Sequence, residues 1–126
     1  HSFPTRRSSD LGRAGEVLAR EYLESVGFEI LGCNLRLGGG EVDILARDAN
    51  VLVVVEVKTR RSTAFGRPEE QITAGKLRTL RALATRVSAA CRGAPVRVDV
   101  VAVMADASSC ESLTGAAISH LRGVLT

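Results

Sequence analysis

The chain is 126 residues long, 45% apolar and 25% charged, the size and composition of one globular domain with one core. No apolar run approaches bilayer-spanning length, and Cys33, Cys91 and Cys110, three cysteines without a CxxC pair or a Cys/His cluster, argue against a disulfide framework or zinc site and for a reducing, cytoplasmic compartment. The net charge of +3 permits a nucleic-acid partner without singling one out, and four aromatic residues are too few for a base-stacking platform.

His1 to Leu11 (HSFPTRRSSDL) has no initiator Met and resembles a translated sequencing adapter, with a basic start but no apolar signal-peptide core. It is expected to be a non-native leader, residues 1–11, ahead of a single domain, residues 12–126. Gly12 to Val26 carries Ala14, Leu18, Tyr22 and Val26 as an apolar stripe, the pattern of an amphipathic helix stopped by Gly27. Glu16 lies at the edge of that stripe, either as an exposed helix residue or as a carboxylate leaning towards a neighbouring site. Phe28 to Leu37 reads as a strand with Phe28 and Ile30 entering the core and Leu31 either joining them or facing out. Gly38-Gly39-Gly40 then makes a turn, which serves a hairpin in the first place and a close backbone approach in the second.

Glu41–Leu45 and Val51–Lys58 are rich in β-branched residues, and Asp48-Ala49-Asn50 between them has turn chemistry, so a hairpin is expected. A two-residue turn at Ala49-Asn50 pairs Asp48 with Val51, Leu45 with Val54, Asp43 with Glu56 and Glu41 with Lys58. One face then holds Val42, Ile44, Ala46, Val53, Val55 and Val57. The other is apolar near the turn (Leu45, Leu52, Val54) and turns charged at Glu41, Asp43, Glu56 and Lys58. Opposed carboxylates, with Cβ atoms about 4.5–5.5 Å apart, repel each other. A hard divalent cation between them removes the penalty, and Lys58 could then bind a phosphate or orient an attacking water. On D…ExK spacing alone, a strand end with solvated charges is the commoner case. A three-residue turn would place Asp43 and Glu56 on opposite faces and abolish the site.

Beyond Lys58, Thr59 to Pro68 is a loop with Arg60, Arg61 and Arg67, either solvated or in contact with phosphates. Glu69 to Arg92 has helical spacing, with Thr73, Leu77, Leu80, Leu83, Ala84, Val87 and Cys91 inward. Arg78, Arg81, Arg86 and Arg92 lie opposite, and Lys76 sits at the margin, facing sheet or water. Gly93-Ala94-Pro95 ends that helix. Val96–Met104 reads as a central strand buried on both faces, and Ala105–Leu113 as a polar loop. Ala116–Leu125 is an edge strand or a short helix in which His120 is structural rather than a ligand. The order is α-β-β-β-α-β plus a C-terminal element.

Several short runs in this order make up a wider pattern: Gly12-Arg13-Ala14-Gly15-Glu16, Asn34-Leu35-Arg36, Gly40-Glu41-Val42-Asp43 and Val54-Val55-Glu56-Val57-Lys58-Thr59-Arg60. Phe65-Gly66-Arg67-Pro68, Ile72-Thr73 with Lys76, Arg97-Val98-Asp99-Val100 and Ile118-Ser119-His120 continue it. From Gly12 almost to its end the chain resembles the YraN-type family, small bacterial proteins with a restriction-endonuclease-like, PD-(D/E)xK fold. The resemblance implies an α/β core with a mixed central sheet flanked by helices. It assigns metal ligation to Asp43 and Glu56 and the catalytic lysine to Lys58, and the first-helix glutamate of resolvases with this fold maps to Glu16. Val42 stands where the wider superfamily has Pro, and Val55 where the family often has Phe; both departures leave the carboxylates intact.

The activity implied is Mg²⁺- or Mn²⁺-dependent endonuclease action on structured or branched DNA, in recombination or repair. Arg36, Arg60, Arg61, Arg67 and Lys76 would be the nucleic-acid contacts, with no membrane partner and a homodimer open as the assembly. Because fold does not fix function, the alternative is a non-catalytic nucleic-acid-binding protein that keeps the nuclease fold.

Overall fold

The sheet grows outward from the Ala49-Asn50 turn. In the computed structural model, which describes residues 7–61, 72–105 and 116–125, Ala49 takes a left-handed φ of +57°, a conformation usually left to Gly or Asn. Strands β2 (Gly40–Asp48) and β3 (Val51–Arg61) run back from it with Asp48 opposite Val51, Leu45 opposite Val54 and Ile44 opposite Val55. This is the register that a two-residue turn dictates. β1 (Glu29–Leu37) joins the outer side of β2 through the Gly38-Gly39 turn, where Gly39 has a φ of +94°. On the other side, β4 (Val96–Ala105) runs parallel to β3, and β5 (Ala117–Leu121) pairs antiparallel with β4, giving the order β1-β2-β3-β4-β5. Parallel neighbours need a crossover, and the segment between β3 and β4 carries helix α2 (Ala74–Ala90). Helix α1 (Arg7–Ser25) precedes the sheet. The result is a mixed α/β core in the expected element order, and the C-terminal element is an edge strand.

Each helix covers one face. On the α1 side, Ala19, Leu23 and Phe28 pack with Ile44, Ala46, Val53, Val55, Val101 and Val103. On the α2 side, Leu80, Leu83 and Val87 pack with Val42, Leu52, Val54 and Val98. β3 and β4 are therefore buried on both faces, as their near-continuous valine runs require.

Several local expectations are corrected. α1 starts at Arg7 rather than Gly12, within the stretch read as a leader, and Leu11 packs against the core. Ala14, Leu18 and Tyr22 of the expected stripe pack against the core, but the buried line passes through Gly15, Ala19 and Leu23, and Val26 is 45% exposed. A register irregularity between Ile30 and Gly32 turns Leu31 outward, where it is 39% exposed. α2 begins at Ala74, because Thr73 is extended and caps the helix: its Oγ1 accepts the Lys76 N–H at 3.0 Å. Cys91, also expected inward, is the exposed C-cap. Glu69 itself lies outside the described residues.

A polar clamp joins α1, the hairpin, β4 and the chain after β5. Asp99, fully buried on β4, accepts from Arg97 Nε and Nη2 at 2.8 and 3.1 Å and from the Gly123 N–H at 3.0 Å. His120 Nε2 lies 2.8 Å from the same carboxylate, and its Nδ1 lies 2.9 Å from the Tyr22 hydroxyl. An ionised carboxylate only accepts, so Nε2 carries a proton and donates to Asp99. Burial pushes the Asp99 carboxyl up, but the bonds from Arg97, Gly123 and His120 outweigh it and hold its pKa below the usual value. Arg97 Nη2 reaches on to Asp48 Oδ2 at 3.0 Å, fastening the β2–β3 turn to β4. His120 is thus enclosed in a structural network. Among the described residues, no helix is long and apolar enough to cross a membrane.

Candidate active site

The β2–β3 ladder stops at Ile44 opposite Val55, one pair short of the charged residues. The expected pairs Asp43–Glu56 and Glu41–Lys58 therefore do not form. Instead the Val57 N–H donates to Asp43 Oδ2 at 2.8 Å, so a side chain takes the bond that a cross-strand carbonyl would have accepted. The alternation of β2 breaks at the same point. Ile44 packs on the α1 side and Val42 on the α2 side, although strict period-two alternation would send both to one face. The two strands part at their charged ends and open a cavity of about 380 Å³, lined by Leu11, Gly12, Glu16, Asp43, Glu56, Val57, Lys58, Thr59 and Arg60. The carboxylates meet because the sheet splits between them, and not because they oppose each other across a continuous ladder.

α1 brings Glu16 to this cavity by an unusually close approach. A Cβ on the buried Gly15 would fall on Thr59 Oγ1 and lie 2.9 and 3.0 Å from Thr59 Cγ2 and Cβ, so any side chain here would force the helix or Thr59 to shift. Glu16 follows at once in the chain, and the side chain of Asn34, a residue with a φ of +54°, eases the rise in its pKa. The sequence carried a signal for this packing, since a glycine inside an amphipathic helix costs about 1 kcal/mol relative to Ala and calls for a reason.

From the opposite layer, Lys76 on α2 places Nζ 3.5 Å from Glu56 Oε2. Lys76, expected among the phosphate contacts, is ion-paired with a carboxylate of the site. Arg60 lines the cavity, and Arg36 is exposed on β1 opposite Glu41. Arg61 ends β3, and Arg67 lies outside the described residues. Arg78, Arg81, Arg86 and Arg92 are exposed, as their helical spacing requires.

The electrostatics are those of crowded, desolvated acids. Burial and then the charge of Asp43 push the Glu56 carboxyl up to about 7, against the pull of Lys76 and Lys58. Burial also raises Asp43, although its bond from Val57 N–H and the Lys76 charge oppose the rise. Glu16 is raised by burial and by Asp43, and eased by Asn34. Among the described residues, no three Asp, Glu, His or Cys side chains are gathered closely enough to hold an ion unaided. The donor chemistry still fits one kind of ion. Among the described residues that line the cavity, the anionic groups are carboxylates, the Thr59 hydroxyl is beside them, and there is no imidazole or thiol. Mg²⁺ in particular is commonly held by one or two carboxylates while keeping several waters and taking phosphate oxygens from a substrate.

Residues 15–103 match the signature of the family described as "Uncharacterised protein family UPF0102". A UPF0102 protein of Beutenbergia cavernae is 45% identical over 122 residues, spanning 94% of this chain and 98% of that one. Its counterpart in Arthrobacter sp. strain FB24 is 46% identical over 124 residues, with the same two coverages. One from Caldicellulosiruptor saccharolyticus is 52% identical over 75 residues, covering 60% of this chain and 64% of its own. Among solved structures, the chain is similar to one described as "Structure of EndoMS-dsDNA2 complex", with a TM-score of 0.47 and 22% identity over 78% of this chain and 36% of that one.

Proposed function

The chain belongs to the UPF0102 family, the YraN-type group its motifs resemble, and from that premise we propose that it is a metal-dependent endonuclease hydrolysing phosphodiesters in structured or branched DNA. The observation that carries this reading is the sharing of one cavity by the desolvated carboxylates of Asp43 and Glu56, with Lys58 in its wall. Crowded buried acids are a liability for a protein that only binds, and strongly perturbed carboxylates in a cleft mark functional sites.

Asp43 and Glu56 would hold Mg²⁺ or Mn²⁺, with Glu16 drawn in from α1. Bound there, the ion would polarise a phosphate and lower the pKa of a bound water. The Val57 N–H fixes the orientation of Asp43. Lys58 positions the attacking water or stabilises charge developing on the phosphorus oxygens. Arg60, with Arg36, Arg61 and Arg67, holds the sugar-phosphate backbone, giving salt-sensitive and largely sequence-independent affinity. The rival, a non-catalytic nucleic-acid-binding protein, draws on the modest net charge of +3 and on the absence of a three-ligand cluster among the described residues.

Cleavage of duplex, single-stranded, flap and four-way-junction DNA, with Mn²⁺ and with EDTA, separates the two. Mn²⁺-dependent scission of at least one substrate, lost in Lys58→Ala, is expected. DNA bound without scission under every condition favours the binder.

A further inference from the structure

Of the cations around the carboxylate pair, Lys76 stands out, and the proposed chemistry gives it no role. Its Nζ is 3.5 Å from Glu56 Oε2, where the Glu56 side chain is only 7% exposed and that of Lys76 is 39% exposed. Its charge also acts on both Asp43 and Glu56 more strongly than that of Lys58, the lysine of the ExK run. The backbone of Lys76 is pinned, since its N–H is the one that Thr73 Oγ1 accepts in capping α2. The side chain is not pinned: it is long and half in water, and it can leave Glu56 while the helix stays in place.

An ammonium and a divalent ion cannot both sit against one buried carboxylate without strong repulsion. We propose that Lys76 is a resident counter-cation, neutralising Glu56 in the metal-free site and leaving it when a divalent cation enters. The site then exchanges one cation for another, and the displaced ammonium, tethered to α2, is free to meet a phosphate oxygen of the substrate. This rests on the reading of Asp43 and Glu56 as a cation site. It makes Lys76 a positioning residue that sets the strength of metal binding, in contrast to a fixed structural ion pair.

Calorimetric titration of Mn²⁺ into the full chain tests it. Lys76→Met should bind Mn²⁺ about tenfold more tightly than wild type, and Lys76→Arg should stay close to wild type. Arg78→Met, which removes an exposed charge a half-turn along the same helix, should change affinity less than about twofold because exposed charges are screened. In EDTA, Lys76→Met should lower Tm in the wild-type background and leave it nearly unchanged in Glu56→Gln. Equal Mn²⁺ affinity in wild type and Lys76→Met, or equal tightening by Arg78→Met, overturns the exchange while leaving the cation site standing. If no variant takes up Mn²⁺, the cation site is refuted and the exchange with it. An equal Tm loss in both backgrounds shows that Lys76 does not act through Glu56.

Discussion

The Val57 N–H donates to Asp43 Oδ2 at 2.8 Å, so the carboxylate of the site also closes the β2–β3 hydrogen-bonding pattern. Asp43 is therefore under two opposed demands, and substitutions separate them. Asn keeps an acceptor for Val57 and removes the repulsion with Glu56, so Asp43→Asn should melt a few degrees above wild type in EDTA. Ala removes the acceptor as well, and an unmet N–H costs about 1–3 kcal/mol, so Asp43→Ala should melt below Asp43→Asn. With Mn²⁺ at 100 times its Kd, wild type should gain about 2.7 kcal/mol and both variants should lose most of that response. Thermal melts in EDTA and Mn²⁺ decide it. Identical behaviour of wild type and Asp43→Asn in both conditions would remove the repulsive pair from the account.

The turn at Ala49-Asn50 made the hairpin register legible as far as Ile44, because a two-residue loop leaves only one pairing. It did not reveal that the ladder ends there. Period-two alternation presumes an unbroken strand, and nothing in Val42-Asp43-Ile44 announces that a side chain replaces a carbonyl as acceptor. The helical spacing puts Lys76 at the margin of α2, but which way it turns depends on a buried acid on another element. Thr73 fits the helical spacing and is also a good N-cap, and the two roles are distinguished only by where the backbone becomes extended. The Asp99 clamp was hidden most completely, since Tyr22, Asp48, Arg97, Asp99 and His120 come together only through the sheet.

The pH dependence of the metal-free protein should carry the mark of Glu56. Its folded pKa of about 7 lies above the ordinary 4.5, so the folded state binds the proton more tightly than the unfolded chain. That stabilisation is complete below about 4.5 and is lost as pH rises through about 7. The raised Asp43 and Glu16 act in the same direction. In EDTA, wild type should lose up to about 3 kcal/mol between pH 5 and pH 8, and Glu56→Gln should flatten most of that slope. Urea unfolding across this range measures it, and a Glu56→Gln slope equal to that of wild type excludes Glu56 as its source.

Gly15→Ala should act on the site without touching its charges. The new Cβ falls on Thr59 Oγ1, and the helix must lift from β3 or Thr59 must shift, at about 1–3 kcal/mol for overpacking. Because Glu16 is the next residue, Mn²⁺ affinity should fall along with Tm. Thr59→Ala clears Oγ1 and Cγ2, so Gly15→Ala/Thr59→Ala should recover a large part of both. If the double variant is no better than Gly15→Ala alone, the contact between Gly15 and Thr59 is not what positions α1.

Asp99→Asn should be the most destabilising conservative change outside the site. Asp99 is fully buried and receives Arg97 Nε and Nη2, the Gly123 N–H and His120 Nε2 on two oxygens. Asn offers one oxygen, turns an NH₂ group towards donors, and leaves the Arg97 guanidinium paired only with Asp48. Removing one partner of a buried ion pair costs about 3–5 kcal/mol, and urea unfolding at pH 7 should show a loss of that order. The pH dependence supplies the sign. Because the folded pKa of Asp99 lies below 3.8, its stabilisation is present above 3.8 and is lost as pH falls through the folded value. The gap between wild type and Asp99→Asn should therefore close below about pH 3.8. A gap of less than about 1 kcal/mol at pH 7 would show that Arg97 and His120 find other acceptors and that the clamp does not depend on the charge of Asp99. A gap that stays open in acid would assign the loss to the shape of the side chain instead.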